Sequence, residues 1–116
     1  MPSPSDIASA FSTHDFDVAY PHLRSDVVWW IVGGDEVHGS DDVRALCERT
    51  RHDLDGVETR FERLRTLVGE SWVVVDSVAT YDGASGESRV ASCDIYGFED
   101  GALTTITSYN VELEAD

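Results

Sequence analysis

One carboxylate in this chain stands where chemistry needs it. Asp94 lies in the stretch ESRVASCDIYGFEDGALTTITSYNVEL, Glu87 to Leu113, which reads as two strands joined at Asp100-Gly101, a dipeptide suited to a two-residue hairpin turn. With those two residues at the turn, Phe98 is expected opposite Leu103, Tyr96 opposite Thr105, Asp94 opposite Thr107, Ser92 opposite Tyr109 and Val90 opposite Val111. Alternate residues of a strand point to opposite sides, so these pairs share one face. Asp94 is thereby expected among Tyr96, Phe98, Tyr109 and Val111. A charge there is costly unless it is paired or the acid keeps its proton, and a desolvated carboxyl with a raised pKa can serve as acid or base near neutral pH.

Other groups offer less. His14, His22 and His38 fall in loops or on the surface, and the four histidines lack the helical two-ligand spacing of a metal site, so neither metal nor cofactor is expected. Arg60, Arg63 and Arg65 on a strand with Glu58 and Glu62 suggest cross-strand ion pairs. Gly33-Gly34 is a turn, since no phosphate-loop pattern follows. Cys47 and Cys93 are far apart and read as reduced packing residues.

The elements that must position Asp94 can be read in order. Ser3-Pro4-Ser5-Asp6 opens a helix carrying Ile7, Ala10 and Phe11. The pattern breaks at Ser12-Thr13-His14, and Asp15 can cap a short second helix with Phe16, Ala19, Tyr20 and Leu23. Val27 to Val32, VVWWIV, is expected as a strand buried on both faces, with one of Trp29 and Trp30 pointing each way. Glu36-Val37-His38 forms a short return strand, and Ser40 is placed as the cap of a longer helix ending at Asp55-Gly56. Two strands follow between Val57 and Tyr81, turning at Gly69-Glu70, before the hairpin. Long meandering strands twist and curl. The early helices can close the concave side, giving a single α+β domain shaped as a cone with a pocket inside.

Composition narrows the partners. The chain has 116 residues, 41% of them hydrophobic, enough for one core. It carries 23 acidic residues against eight arginines and no lysine, a net charge of −15. Such a surface repels phosphate backbones and anionic lipid, which argues against nucleic-acid and membrane partners. It suits a high-salt cytoplasm, and equally an arginine-favouring genome. No apolar window reaches membrane-spanning length and the first residues do not resemble a signal peptide, so a cytoplasmic location is expected.

The element order, with the segments HDFD, LRSDVVWWIVGG, VHGSDDVRAL and VASCDIYGFEDGALTTITSY, resembles the nuclear transport factor 2-like superfamily, in particular its SnoaL-like branch. The resemblance implies a curved, mostly antiparallel sheet closed by about three helices. It also implies cofactor-free isomerase, cyclase, dehydratase or hydrolase chemistry on a small hydrophobic molecule, or a non-catalytic binding or dimerisation module. Val90 to Phe98 is similar to a segment of ketosteroid isomerase whose aspartate is kept protonated by an apolar site and donates to an oxyanion; Asp94 inherits that role. The general-base position of that enzyme falls on Trp30, and its partner tyrosine on Ile7 or a neighbour. The acid of SnoaL-like cyclases falls on Val111. Related dehydratases place a histidine base near His52. The expected site is therefore Asp94 with His52 and Tyr109 as catalytic groups, and Trp30, Ser92, Tyr96, Phe98, Thr107 and Val111 around the substrate. A homodimer is expected through the sheet face carrying Ala91, Cys93, Ile95 and Ile106, too apolar to be left in water.

Overall fold

The computed structural model describes residues 2–114. Helix α1 (Pro4–Ser12) begins as its sequence dictates: the Ser3 hydroxyl accepts from the Asp6 amide while the Asp6 carboxylate accepts from the Ser3 amide, with Pro4 in the first turn. A short α2 (Phe16–Ala19) and a 3-10 turn (Tyr20–His22) lead into β1 (Leu23–Ile31). Then come β2 (Glu36–His38), α3 (Ser40–Asp53), β3 (Glu58–Val68), β4 (Trp72–Gly83), β5 (Gly86–Glu99) and β6 (Ala102–Leu113). Gly39, in a left-handed conformation that favours glycine, holds the N-cap position of α3 in place of the expected Ser40.

The six strands form one sheet in the order β2-β1-β6-β5-β4-β3, antiparallel except where β1 runs beside β6. The α+β cone expected from the element order is what forms. Its concave side is closed by α1, whose Ile7, Ala8 and Phe11 share one buried cluster with Val73, Val75, Tyr96 and Ile106 of the sheet. Among the described residues, no helix is long and apolar enough to cross a membrane.

The hairpin turn is as read, with Asp100 and Gly101 both at positive φ and Phe98 opposite Leu103. One step further the register changes. Gly97 pairs with Thr105, so Thr104 is an extra residue on β6, a bulge. The buried Thr104 hydroxyl donates to the Gly97 carbonyl at 3.2 Å. A side chain at Gly97 would crowd this pairing, because a Cβ there would lie 2.3 Å from the Thr105 hydroxyl. A one-residue slip turns every later side chain of the strand to the opposite face. Asp94 therefore faces Ser108, not Thr107; Ser92 faces Asn110, not Tyr109; and Tyr96 faces Ile106, not Thr105.

Four expectations fall with that register. Thr107, Tyr109 and Val111 lie on the convex face, where Tyr109 is 44% and Val111 60% exposed. Ile106, expected on the dimer face beside Ala91, Cys93 and Ile95, sits in the core at 1% exposure. Nor is the VVWWIV strand buried on both sides: Trp29 packs inward, whereas Trp30 is 47% exposed on the outer face.

Candidate active site

Between α1, α3 and the concave face of the sheet lies a cavity of about 200 Å³. Phe11, Phe16, Trp29, Phe61 and Tyr81 make its apolar walls; Ser12, Ser77, Ser92, Ser108, Asn110 and Asp94 supply a polar stripe. The stripe follows from pairing, because Ser77 lies beside Ser92 and Ser92 beside Asn110 across β4, β5 and β6. Among the described residues, no arginine lines the space.

Asp94 sits in this cavity with its charge discouraged. Burial pushes its carboxyl above the ordinary carboxylate value, and the Ser108 and Ser12 hydroxyls pull in the opposite direction by hydrogen-bonding the ionised form. The direction of these bonds is fixed by chemistry. The Trp29 indole N–H can only donate, and it does so to the Ser108 oxygen at 2.9 Å, leaving the Ser108 hydrogen for Asp94. On the other side the Ser12 hydroxyl donates to Asp94 Oδ2 at 2.8 Å. The Tyr96 hydroxyl lies 2.6 Å from the Ser12 oxygen and is left to donate to it. Asp94 thus terminates two chains of donors, an arrangement suited to a carboxylate that accepts protons.

The second titratable group is not the one expected. His52, in the last turn of α3, is exposed and lies outside the cavity lining, which α3 reaches through Leu46 and Thr50. His14 lines the cavity instead, with φ 69° at the junction of α1 and α2. Its ring lies about 6 Å from those of Phe16, Phe61 and Tyr81. Burial alone pushes its pKa down, so the neutral imidazole is favoured. Histidine is one of the few residue types that adopt the left-handed region with any frequency, and the break at Ser12-Thr13-His14 between two phenylalanines is the signal the sequence carries for it. Ser12 carries one too: it follows Phe11 on the apolar side of α1, where a polar residue needs a partner.

Of the remaining expected contacts, Ser92 lines the cavity. Tyr96 and Phe98 are 0% and 7% exposed, and belong to the packed layer beneath the site. Trp30, Thr107, Tyr109 and Val111 do not reach it, for the reasons of register and strand direction given above. Arg60, Arg63 and Arg65 are indeed ion-paired, with Glu87, Asp76 and Asp76. Among the described residues, no three His, Cys, Asp or Glu side chains cluster to hold a metal ion.

A curled sheet roofed by helices over a cavity with one desolvated acid defines a class of small pocket-bearing α+β proteins. Residues 6–106 match the SnoaL-like domain model, and the chain belongs to that family. An NTF2-like protein of unknown function from Cytophaga hutchinsonii is 32% identical, with 90% of this chain and 93% of that one covered at a TM-score of 0.79. A putative polyketide cyclase from Pseudomonas putida, 14% identical (94% and 92% covered, TM-score 0.74), shares the fold. So does an LEH-like epoxide hydrolase from M. tuberculosis, 19% identical (93% and 82% covered, TM-score 0.68). No curated protein matches the sequence.

Proposed function

We propose that this chain is a cofactor-independent enzyme that moves a proton on a small, largely apolar molecule, in an isomerase, cyclase, dehydratase or hydrolase reaction. The observation that carries this reading is the placement of Asp94: a desolvated carboxyl on a cavity wall, fed by two donor chains. A raised pKa makes a carboxylate a stronger base, and the two serines hold it as an acceptor. This differs from the oxyanion-donor role that the ketosteroid isomerase resemblance implied. His14, neutral in the cavity wall, takes the place proposed for His52 as second proton-carrying group. The names borne by its fold neighbours, polyketide cyclase and epoxide hydrolase, are consistent with such chemistry, but one fold hosts many reactions.

The test is deuterium uptake at the carbon next to the carbonyl of small ketones, followed by NMR with the native chain and with Asp94→Asn. Native catalysis is expected to fall by about 10²- to 10⁴-fold in the variant, the usual contribution of a positioned acid or base. Equal exchange by the two proteins would remove Asp94 from the chemistry. A non-catalytic binding module is the second reading, favoured by the fact that the identified bonds to Asp94 come from the protein itself; ketones that bind without exchanging would support it.

The same reading includes a homodimer through the convex face. Leu67, Val74, Ile95, Thr107 and Trp30 follow one another in register across five strands, and Leu67, Ile95 and Trp30 are exposed. Large apolar side chains exposed along one row of the sheet suit an interaction surface. Light scattering at micromolar concentration is expected to give twice the chain mass, and Ile95→Asp to give the monomer; a native monomer would end the proposal.

A further inference from the structure

A second space adjoins the cavity. A shallower groove of about 320 Å³ runs between the end of α3 and the β4–β5 hairpin, lined by Leu54, Val57, Gly83, Ser85, Gly86 and Ser88. Among the described residues, Tyr81 alone borders both spaces. It pairs with Thr59 on β3 and Ser88 on β5, so its backbone is fixed in the sheet, and the residue lines the inner cavity and the groove alike. The ring is held on the inner side by a tilted contact with His14, centroids 5.9 Å apart at 46°. Among the described residues the groove has no charged lining, and at Gly83 the backbone comes so near Val57 that a Cβ would lie 3.1 Å from its methyl.

From this juxtaposition we infer that Tyr81 is a specificity-determining residue: its ring sets the length of the molecule the cavity admits, and the outer groove is the space a longer molecule would fill if the ring were absent. The inference rests on the cavity being the ligand site. An apolar cavity of about 150 Å³ takes up benzene, with about six non-hydrogen atoms, so the inner cavity of about 200 Å³ suits an occupant of about seven or eight. Its occupant is a compact molecule of about that size without a negative charge, since the described lining offers no arginine to receive an anion. Tyr81 would act on binding through shape, as a barrier and not as a proton carrier.

A homologous series reads this directly. Dissociation constants of the straight-chain ketones from 2-butanone to 2-decanone are measured by protein NMR titration on the native chain, Tyr81→Phe, Tyr81→Ala and Tyr81→Val. In the native protein affinity should rise about fourfold per added methylene, the transfer value for a buried CH₂, and then stop rising near 2-hexanone or 2-heptanone. Tyr81→Phe should keep that plateau, because the ring and not the hydroxyl is the barrier. Tyr81→Ala should extend the rise to the longer ketones, and Tyr81→Val, whose branched side chain suits a strand, gives the same reading should the alanine variant not fold. A native rise that continues to 2-decanone would overturn the inference, as would a plateau unchanged in the alanine or valine variant or abolished in Tyr81→Phe. A chain that binds no ketone would remove the inference together with the ligand site; ketones that show the plateau but are never deuterated would remove only the catalytic reading.

Discussion

Asp76 and Asp94 stand on adjoining strands, one register step apart, and their surroundings drive them in opposite directions. Asp76 lies beside Cys93 and faces outward; Asp94 lies beside Val75 and faces the cavity. Outside, the Arg65 and Arg63 guanidiniums, at 2.7 and 3.0 Å, hold the Asp76 carboxyl below its ordinary value. Inside, burial pushes Asp94 up, and what opposes it is a pair of neutral hydroxyls. The sheet thus separates two electrostatic regimes across its own thickness. On the convex face charges are met by arginines and apolar side chains are left exposed. On the concave face one charge is met by hydroxyls and the apolar side chains are packed. Whether an acid's pKa is lowered or raised here depends on which side of the strand it occupies, and its partners are decided by where the register is set.

The strongest way to break the contrast is to put a new charge on each face of β6 in turn. Ile106→Asp places a carboxylate at a position 1% exposed, among Tyr96 and the other core side chains. It forfeits about 1.5–3 kcal/mol of aliphatic burial and leaves an unpaired charge inside, so a loss of about 4 kcal/mol or more is expected, a large part of a domain's stability. Val111→Asp, at a position 60% exposed, is expected to stay within about 0.5 kcal/mol of the native chain, as surface changes usually do. Urea unfolding of the two variants reads the difference. A bulge-free hairpin would put Val111 inside and Ile106 outside, so the reverse order of costs would restore that register.

Removing the bulge itself should do less. Without Thr104 the strand can still pair Gly97 with Thr105 and Tyr96 with Ile106, so every side chain beyond the turn keeps its face. What disappears is the buried Thr104 side chain and its bond to the Gly97 carbonyl, one hydrogen bond worth about 0.5–1.5 kcal/mol. A deletion variant is therefore expected to unfold cooperatively, about 1–3 kcal/mol below the native chain once local repacking is included. Loss of the cooperative transition would show that the bulge's twist, and not the pairing alone, holds the hairpin in the sheet.

That bulge also marks the limit of what the sequence discloses. The strand-turn-strand, the helices and the cone follow from local signals: apolar periodicity, the Asp100-Gly101 turn, the Ser3 cap. Asp94 could be singled out because a carboxylate among aromatic and aliphatic neighbours is costly in either register. The identity of its partners could not, because an alternating strand with apolar residues on both faces reads equally well after a one-residue slip. Gly97 beside Thr104-Thr105 was the local hint, glycine within a strand being a mark of bulges. The paired tryptophans posed the same two-sided problem and were settled by the parallel pairing of β1 with β6, a contact between distant segments. His14 was legible as a loop residue. That the loop points into the cavity depends on α1 and α2 folding back over the sheet, which spacing alone does not convey.

A gentler test separates the two aspartates by the pH at which each matters. For Asp76, the folded pKa lies below the ordinary value of about 3.9, so its contribution to stability is present above that pH and disappears as the pH falls through the folded value. For Asp94 the folded pKa lies above the same ordinary value. The folded chain then binds more protons than the unfolded chain between the two values, and stability falls as the pH rises through that interval. His14 acts with the opposite slope: its folded pKa is depressed below about 6.5, so stability is lost as the pH drops beneath that value. Above about pH 4 the Asp94 slope is negative, and below about pH 6.5 the His14 slope is positive, so within the native chain the two groups act with opposite sign. Asp94→Asn removes one of them, and its unfolding free energy is expected to climb with pH across that interval more steeply than the native chain's. Asp76→Asn should leave the interval unchanged and flatten only the acid limb below about pH 4, with a small effect at neutral pH, since exposed ion pairs are worth about 1 kcal/mol or less. Parallel native and Asp94→Asn profiles from about pH 4 to 6.5 would mean that Asp94 is solvated like its neighbour, and the contrast between the two faces would not extend to their charges.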